Sequence, residues 1–313
     1  AVTGTNGKSS IADFYYQILD LNKKKVASIG TLGIKSKKFK KDLSNTTIDP
    51  IQLSIILSNL KKQNINNVIM EASSHGLSQN RLDGLFFNTG IFTNLSQDHM
   101  DYHKNMKDYL KAKTYLFEQL IKKNGNIITD EKISEYKQIK KIASNKNLNL
   151  FSLLDKKNNF QFLSHQFENE AQLLKIKYNN SIHNIKLNLI GKVQLKNILM
   201  AIIAAIKSDI SIKDILKVIP RIKSVDGRFE KIGKIKNNSK IILDYAHTPD
   251  ALKTCLKNLK EQFPGHKVSL VFGCGGNRDS NKRSKMGKIA DYFSDKIYLT
   301  DDNPRLEQPS KIR

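Results

Sequence analysis

The sequence contains few cysteines and no long apolar run. Its two cysteines, Cys255 and Cys274, are too few and too far apart for a disulfide framework or a thiolate metal site. The longest apolar runs, such as residues 198–206, fall well short of the roughly 20 residues that a membrane-spanning helix needs. No basic-then-apolar signal segment opens the chain either. These absences lead us to expect a cytoplasmic protein that is not bound to a membrane.

Acidic residues are also scarce. Lysine and arginine number 53 against 29 acidic residues, which gives a formal net charge of +24. A basic surface attracts nucleic acids and small anionic substrates through the same long-range field. The lysines are spread along the whole chain, however, and no basic stretch is interleaved with stacking aromatic residues. We therefore expect solvated lysine-rich faces and no nucleic-acid partner, while a nucleic-acid-binding protein stays open as an alternative class.

Strand-like and helix-like runs alternate through the first part of the chain. The pattern predicts strands at residues 26–29, 67–70, 89–93 and 126–129, and helices at residues 10–21, 52–62 and 107–120. Such alternation is typical of an α/β domain with a mostly parallel sheet. Between residues 160 and 190 the apolar period changes to two on either side of Asn179-Asn180, which predicts a small antiparallel insertion.

A second α/β unit follows two helices predicted at residues 193–208 and 212–219. Pro220 ends the latter helix, because proline lacks the amide hydrogen that a helix interior requires. Residues 220–226 are interpreted as a linker, with domains at residues 1–222 and 223–313. The second unit has predicted strands at residues 240–243, 267–272 and 296–300, and predicted helices at residues 249–262 and 285–293.

A glycine-rich loop near the start joins a strand end to the first predicted helix. Its residues are Gly4, Thr5, Asn6, Gly7, Lys8, Ser9 and Ser10. In this context backbone N–H groups turn toward phosphates at a helix N-terminus, Lys8 meets the outer phosphates and the Ser9 hydroxyl meets a Mg²⁺ ion. Val2 stands where the general phosphate-loop pattern has its first glycine. The loop alone predicts binding of ATP or GTP, against the alternative of a plain glycine turn.

The loop and two later segments resemble the Mur ligase family, and the loop also resembles the related folylpolyglutamate synthetases. The segments are Met-Glu-Ala-Ser-Ser-His at residues 70–75 and Asn-Leu-Ser-Gln-Asp-His-Met-Asp-Tyr-His at residues 94–103, each beginning where a predicted strand ends. The resemblance implies a central ATP-binding domain, a Rossmann-like α/β C-terminal domain, and Mg²⁺ held by Ser9, Glu71 and His99. It also implies an ATP-dependent ligase that forms an amide through an acyl phosphate.

Lys113 lies on a predicted helix, where a solvated lysine is the ordinary interpretation. The matching lysine of Mur ligases is carbamylated by CO₂, so the resemblance implies that Lys113 joins Lys8 and His99 as a catalytic residue and acts as a metal ligand. The chemistry is intelligible, because a carbamate offers Mg²⁺ an anionic oxygen whereas an ammonium repels the ion. His75 and His103 are left open as structural residues.

Further residues match those that bind the nucleotide substrates in the family. The resemblance assigns UDP-MurNAc-dipeptide to Asn45, Thr46, Thr47, Ser73, Gln79 and Arg81. Ile48 replaces the usual proline of this loop, and an ordinary polar loop is the alternative. The resemblance assigns ATP to the phosphate loop and to Asn197, Arg228, Asp244 and His247. Asp244 and His247 could instead cap the helix that starts at Thr248 and Pro249.

The last segment bears on the amino acid that is added. Asp302, Asn303, Pro304 and Arg305 resemble the Mur ligases that add meso-diaminopimelate, and Arg278 matches their second arginine for this amino acid. An arginine here can pair with the distal carboxylate that diaminopimelate has and lysine lacks. We expect an enzyme of peptidoglycan biosynthesis, a monomer whose partners are small-molecule substrates, with a folylpolyglutamate synthetase as the nearest rival.

The start of the chain lies close to the phosphate loop. Only three residues precede Gly4, whereas such a loop normally follows a full strand. We therefore expect a longer protein, with a UDP-binding domain before Ala1 and the rest of the C-terminal domain after Arg313. The 313-residue chain by itself is expected to be inactive or nearly so.

Overall fold

The computed structural model describes residues 1–37, 39–154, 159–168, 170–235, 239–277 and 279–313. These residues form two compact units. The first unit contains Ala1–Leu189 and Gln194–Asp226, and the second contains Ile190–Val193 and Gly227–Arg313. The main division along the chain falls between Asp226 and Gly227, where the segment interpreted as a linker ends.

A largely parallel sheet forms the centre of the first unit. Its strands are β1 (Val2–Thr3), β2 (Val26–Gly30), β3 (Gly33–Ser36), β4 (Lys40–Lys41), β5 (Asn67–Met70), β6 (Phe87–Phe92), β7 (Ile121–Thr129) and β8 (Asn149–Ser152). One parallel group is ordered β1-β6-β7-β8, and a second group is ordered β4-β3-β2-β5, in which β2 and β5 are parallel. A parallel bridge between Val2 and Glu71 joins the groups. The mostly parallel sheet is confirmed, and the antiparallel strands β3 and β4 extend it beyond the sequence pattern.

Helices pack on both faces of this sheet. They are α1 (Lys8–Leu21), α2 (Pro50–Lys62), α3 (Ser74–Ser78), α4 (Met106–Gln119), α5 (Tyr136–Asn145), α6 (Lys192–Ile206) and α7 (Ile212–Val218). Neighbouring residues of β6 enter different apolar cores, since Ile91 packs in the core that contains α1 and Phe92 packs in the core that contains α4. This alternation is expected of a strand that is buried on both faces. Within the described part of the chain, no helix combines the length and apolar character needed to cross a membrane.

Local signals explain where several helices begin and end. Asp49 caps α2 by accepting a hydrogen bond from the amide of Gln52 at 3.0 Å, and Asn105 caps α4 by accepting one from the amide of Asp108 at 2.9 Å. Such side chains supply acceptors that the first helical turn otherwise lacks. As predicted, α7 ends before Pro220, which lies in the 3₁₀ turn that follows.

The antiparallel insertion is confirmed as a three-stranded sheet. Its strands are β9 (Phe160–Glu168), β10 (Ala171–Tyr178) and β11 (Ser181–Leu187), with β10 in the centre. The turn between β10 and β11 consists of Asn179 and Asn180, whose φ angles are 45° and 69°. Asparagine tolerates this left-handed conformation, which tight hairpins require. Apolar residues of this sheet pack into the core that contains α1.

The second unit has short strands and two longer helices. Its elements are β12 (Glu230–Lys234), β13 (Lys240–Leu243), α8 (Pro249–Gln262), β14 (Ser269–Phe272), α9 (Asn281–Phe293), β15 (Lys296–Leu299) and α10 (Pro309–Ile312). β12 and β13 are antiparallel, whereas β14 and β15 are parallel and connected through α9. Leu252 and Leu256 of α8 pack with Met286 of α9. The strands and helices predicted here are confirmed, β13 and α8 with the predicted bounds and the others with shifted ends, and β12 and α10 are additional.

Replacing Phe14 by alanine is expected to lower the free energy of unfolding of the first unit by about 3–5 kcal/mol, because its ring is fully buried. Phe86 is the matched control, since it is 63% exposed, and Phe86→Ala is expected to change that free energy by less than about 0.5 kcal/mol. Urea denaturation followed by circular dichroism measures both variants. Equal losses in the two variants would contradict the placement of Phe14 in the core.

Candidate active site

The phosphate loop joins β1 to α1 and depends on two glycines with positive φ. Gly4 has a φ of 137°, and Gly7, directly before α1, has a φ of 91°. A Cβ atom on Gly4 would lie 1.9 Å from Oγ1 of Thr93, so only glycine leaves room for that side chain. Gly7 has no side chain to cap α1, and the start of a helix without such a cap attracts anions such as phosphate.

The segment after β6 holds this loop in place. The amides of Thr5 and Asn6 donate to the carbonyl oxygen and the Oδ1 atom of Asn94, at 2.9 Å and 3.0 Å. In return, Nδ2 of Asn94 and Oγ1 of Thr93 donate to the Asn6 carbonyl oxygen at 3.1 Å and 2.6 Å. These contacts follow from the parallel pairing of β1 with β6, which brings both strand ends to one edge of the sheet.

Two lysines from different helices reach the carbonyl oxygen of Gly4. The Nζ atom of Lys8 donates to this oxygen at 3.1 Å and to the carbonyl oxygen of Thr5 at 2.9 Å, and Nζ of Lys113 donates to the Gly4 oxygen at 2.8 Å. Lys113 is only 1% exposed, so its interpretation as a solvated helical lysine is wrong. Burial first, and then the charge of Lys8, lower the pKa of Lys113 well below its ordinary value. Lys113 therefore favours the neutral amine.

Glu71, directly after β5, is a buried carboxylate that is 2% exposed. Its Oε2 atom accepts hydrogen bonds from Oγ of Ser9 at 3.0 Å and from Oγ1 of Thr31 at 3.2 Å, and its Oε1 atom accepts one from the Thr31 amide at 2.8 Å. Thr31 carries no signal in the sequence, because a single threonine in a turn belongs to no recognisable pattern. Gly30 is required before it, since a Cβ atom there would lie 2.3 Å from Oε1 of Glu71.

The Ser9 hydroxyl and the Glu71 carboxylate form an oxygen donor set that fits Mg²⁺. Hard cations of this kind prefer carboxylate and other oxygen ligands. Among the described residues, no group of three or more histidine, cysteine, aspartate or glutamate side chains could hold a metal ion by itself. A bound Mg²⁺ ion would therefore need further ligands, such as the oxygen atoms of a nucleotide phosphate.

The loop assigned to UDP-MurNAc-dipeptide adjoins Glu71. The Oγ1 atoms of Thr46 and Thr31 are 3.0 Å apart. Oγ1 of Thr47 donates to the carbonyl oxygen of Glu71 at 3.0 Å and accepts a hydrogen bond from the amide of Ser73 at 2.9 Å. Both threonines of the loop are therefore connected to Glu71, one through its side chain and one through its backbone.

The other residues assigned to this substrate surround the same loop. The guanidinium group of Arg81 donates to the carbonyl oxygen of Thr47 at 2.6 Å, whereas Asn45 and Gln79 are exposed. Ile48, which replaces the usual proline, is 2% exposed and packs in the core that contains α4. Burial of Ile48 thus anchors the loop in a way that does not require the fixed φ angle of proline.

His99 has a partly buried imidazole and a positive φ of 56°. Burial lowers the pKa of His99 to about 4, although Asp98, whose Oδ2 atom lies 3.5 Å from Nε2, acts in the opposite direction. The ring is therefore neutral near pH 7, which is the form that binds metal ions. The rings of His75 and His103 pack against Tyr102, with centroid distances of 4.0 Å and 4.9 Å. This packing supports the structural interpretation of both histidines.

Tyr109 links the loop, the buried lysine and His99. Its hydroxyl oxygen is 3.1 Å from Oγ1 of Thr5, and its ring centroid is 4.3 Å from Nζ of Lys113 and 6.2 Å from the ring centroid of His99. Tyr109 and Lys113 are four residues apart on α4, so they share one face of that helix. One aromatic ring therefore contacts each of these groups.

Asn197 of α6 lies against the phosphate loop. A Cβ atom on Gly7 would lie 2.7 Å from Oδ1 of Asn197, and Nδ2 of Asn197 donates to Oε1 of Gln194 at 2.9 Å. Asn197 is 6% exposed. The structure thus brings a residue that the sequence assigns to ATP to the loop itself.

In the second unit, Asp244 organises the backbone around β13. Its carboxylate accepts hydrogen bonds from the amides of Phe229 at 2.9 Å and Ala246 at 3.0 Å, and burial raises its pKa. The Arg228 guanidinium lies 4.2 Å from the centroid of the Tyr245 ring.

Thr248 caps helix α8, and neither Asp244 nor His247 does. Oγ1 of Thr248 accepts a hydrogen bond from the amide of Ala251 at 3.2 Å. The alternative in which Asp244 and His247 cap this helix is therefore wrong. The imidazole Nδ1 of His247 instead lies 3.1 Å from the carbonyl oxygen of Tyr245.

The segments assigned to diaminopimelate form two loops in contact within the second unit. The amide of Gly276 donates to the carbonyl oxygen of Asn303 at 2.9 Å, and the Arg305 guanidinium donates to the carbonyl oxygen of Gly276 at 2.6 Å. A Cβ atom on Gly276 would lie 1.9 Å from the carbonyl oxygen of Pro304, so this contact requires glycine. Arg278 lies outside the described residues.

An ion pair between Arg283 of α9 and Glu307 connects this helix to the segment that follows Arg305. The Arg283 guanidinium contacts both carboxylate oxygens of Glu307 at 2.9 Å. Neither residue has a signal in the sequence, because they lie in unrelated segments with no shared motif. The pair supports the loop that presents Arg305.

The fold and the loop define a nucleotide-binding α/β protein. Residues 2–205 match the sequence profile of the Mur ligase middle domain, and residues 227–313 match that of the Mur ligase, glutamate ligase domain. The chain belongs to the Mur ligase family.

Similar proteins agree with this family. The chain is 39% identical over 318 residues to UDP-N-acetylmuramoyl-L-alanyl-D-glutamate–2,6-diaminopimelate ligase of Rickettsia montanensis, covering 100% of this chain and 65% of that protein. A solved structure of a ligase of the same name is similar with a TM-score of 0.75 and 30% identity, over 99% of this chain and 63% of that one. The MurF ligase of Thermotoga maritima in complex with ADP shares the fold, with a TM-score of 0.70 and 18% identity over 96% and 70% of the two chains.

Gly4→Ala is expected to weaken binding of an ATP analogue by more than about tenfold, because the added Cβ atom collides with Thr93 and because alanine is strained at this φ. Gly287→Ala in α9 is the control, since no described atom lies within 4 Å of its added Cβ atom, and the affinity should not change. Isothermal titration calorimetry measures both affinities. Normal binding by the Gly4 variant would refute the role given to this loop.

Proposed function

We propose that the protein to which this chain belongs is an ATP-dependent ligase that adds meso-2,6-diaminopimelate to UDP-MurNAc-L-Ala-D-Glu in peptidoglycan synthesis. The observation that carries this proposal is the junction at Glu71. Its carboxylate contacts Ser9 of the phosphate loop, and its backbone carbonyl contacts Thr47 of the loop assigned to the acyl substrate. This junction supports the proposal, because it connects the loop proposed to bind the nucleotide with the loop proposed to bind the carboxylate substrate. The 39% identity over the whole chain to a ligase of that name supports the choice of reaction.

The reaction must activate a carboxylate, which is resonance-stabilised and therefore a poor electrophile for an amine. An oxygen of the substrate carboxylate attacks the γ-phosphorus of ATP, and the bond from that phosphorus to ADP breaks. The amine of the amino acid then attacks the acyl carbon, phosphate leaves, and the nitrogen loses a proton. Lys8 stabilises the negative charge on the transferred phosphoryl group. Its hydrogen bonds to the carbonyl oxygens of Gly4 and Thr5 support this role, because they hold its ammonium group at the phosphate loop.

Ser9, Glu71 and His99 are the residues proposed to hold Mg²⁺. When bound, the ion supplies positive charge that neutralises the phosphoryl oxygens. The support from this chain is chemical. Ser9 and Glu71 are 3.0 Å apart and supply oxygen atoms, and the imidazole of His99 is neutral near pH 7.

We also propose that Lys113 is carbamylated. Its nitrogen attacks the carbon of CO₂, a C–N bond forms and a proton is released, so that the side chain ends in an anionic carbamate. The support is its burial beside the phosphate loop, because Nζ of Lys113 and Nζ of Lys8 share the Gly4 carbonyl oxygen. The ammonium of Lys8 would offset the new negative charge.

Residues of the second unit are proposed to contact ATP and the amino acid. Arg228, Asp244 and His247 are proposed to bind the nucleotide, as the resemblance implies, and Asn197 of the first unit is proposed for ATP on the same ground. For the amino acid, the contact between the two loops that carry Arg305 and Arg278 supports joint recognition of a distal carboxylate by two guanidinium groups.

The same proposal covers where the protein works and with what. Because the reaction consumes ATP and a UDP-linked precursor, we propose a cytoplasmic monomer whose partners are small molecules, with no nucleic acid or membrane involved. A folylpolyglutamate synthetase is less favoured, because the Asp302, Asn303, Pro304 and Arg305 segment is typical of diaminopimelate-adding ligases.

The whole protein is expected to release phosphate from ATP when UDP-MurNAc-L-Ala-D-Glu and meso-diaminopimelate are both present, and at least about tenfold more slowly with lysine or glutamate. A coupled phosphate assay measures this preference. Arg305→Ala should reduce the preference, because the distal carboxylate loses its partner. Turnover of glutamate with a folate, and none with diaminopimelate, would instead establish the rival synthetase.

Lys113→Ala is expected to lower the reaction rate by at least about 100-fold, because the carbamate that would serve as an anionic ligand of Mg²⁺ is lost. Formate or acetate should restore part of the rate by filling the space left by the carbamate. Lys111→Ala on the same helix is the control, since Lys111 is exposed and its loss should leave the rate unchanged. Full activity of the Lys113 variant at low bicarbonate, without rescue by short carboxylic acids, would rule out the carbamate.

A further inference from the structure

Thr31 is an exposed residue in the turn between β2 and β3, and it donates two hydrogen bonds to the buried carboxylate of Glu71. Its amide donates to Oε1 at 2.8 Å and its hydroxyl donates to Oε2 at 3.2 Å. The Oε2 atom also accepts the hydroxyl of Ser9 at 3.0 Å. One residue thus contacts both oxygens of the carboxylate that adjoins the phosphate loop, and so determines its orientation.

The hydroxyl of Thr31 also contacts residues 45–47, the loop assigned to UDP-MurNAc-dipeptide, which is called the substrate loop below. Oγ1 of Thr31 is 3.0 Å from Oγ1 of Thr46. A hydroxyl has one hydrogen, and a carboxylate oxygen can only accept. Because the hydrogen of Thr31 points at Glu71, the hydroxyl of Thr46 must be the donor in the pair. The hydrogen bonds therefore run in one direction, from Thr46 to Thr31 to Glu71.

This direction determines what Thr46 can offer to a ligand. The hydroxyl hydrogen of Thr46 is donated to Thr31. The oxygen of Thr46 can therefore contact a ligand only as a hydrogen-bond acceptor, through its lone pairs. Thr47 differs, since it is buried and its hydroxyl already donates to the Glu71 carbonyl oxygen and accepts from the amide of Ser73. Of the two threonines, Thr46 is the one suited to accept from an N–H or O–H group of a bound substrate.

We propose that Thr31 is a positioning residue that couples the substrate loop to the phosphate loop through Glu71. A substrate donor that binds Thr46 orders its hydroxyl, which strengthens the bond to Thr31 and fixes the carboxylate next to Ser9. Binding of the UDP-linked substrate therefore favours binding of the magnesium nucleotide, and the converse holds by thermodynamic necessity. This inference rests on the proposed function, because it takes UDP-MurNAc-dipeptide as the ligand of Thr46.

The test compares the affinity of the whole protein for magnesium and a non-hydrolysable ATP analogue with and without UDP-MurNAc-L-Ala-D-Glu, by calorimetry. The wild-type affinity is expected to rise at least about fivefold with the UDP-linked substrate. In Thr31→Val, which keeps the amide and the shape but loses the hydroxyl, the two affinities should become equal. Thr31→Ser, which keeps the hydroxyl, should restore the difference.

A second variant separates coupling from general damage to the fold. Thr46→Val should also abolish the difference, and the double variant Thr31→Val/Thr46→Val should lose no more than either single variant, because both act on one chain of hydrogen bonds. A merely structural role for Thr31 predicts weaker binding of both ligands with an unchanged ratio, and that result would overturn the inference.

The outcomes also distinguish this inference from the proposed function. If the wild-type protein binds the UDP-linked substrate and turns it over but shows equal nucleotide affinities, only the coupling through Thr31 is wrong. If the protein does not bind the UDP-linked substrate at all, the proposed function and the inference both fail.

Discussion

Burial of the Glu71 carboxylate is the constraint on which the arrangement of the first unit depends. A carboxylate that is 2% exposed has lost most of its hydration, which is costly unless hydrogen bonds replace it. Ser9 and Thr31 supply those bonds from the phosphate loop and from the turn after β2. Two chain segments that are distant in sequence are therefore held by the side chain of a third, which follows directly after strand β5.

Close packing around these polar groups explains the glycines better than turn geometry alone does. Gly30 has an ordinary φ angle, yet a Cβ atom on it would lie 2.3 Å from the Glu71 carboxylate. Gly4 combines a positive φ with a Cβ position 1.9 Å from Thr93. The same absence of a side chain leaves the Gly4 carbonyl oxygen accessible to both Lys8 and Lys113. The positive charge at this place therefore comes from Lys8, because burial and the charge of Lys8 lower the pKa of Lys113.

The sequence predicts regular elements well and contacts between distant segments poorly. Apolar periodicity alone predicts the limits of β5 and the hairpin turn at Asn179 and Asn180, because these depend on neighbouring residues. The roles proposed for Glu71 and Lys113 depend on family resemblance. The sequence pattern around Lys113 predicts a solvated helical lysine and gives no sign that this side chain is buried. Thr31 meets Glu71 across 40 residues, and no local pattern encodes that contact.

Charge pairing within the first unit shows why Glu71 suits a cation. Among the described residues of that unit, three carboxylates are buried, namely Asp13, Glu71 and Asp130. Asp13 pairs with Lys35 and Asp130 pairs with Lys196, each at 2.6 Å, whereas the described contacts of Glu71 are with hydroxyl and amide groups, which carry no net charge. Neutral donors orient a carboxylate without cancelling its charge, and buried charge that is not cancelled attracts a counter-ion strongly. In a chain with 53 lysine and arginine residues, the lack of such a partner among the described contacts of Glu71 leaves its negative charge uncancelled, which supports the proposal that it binds a metal ion.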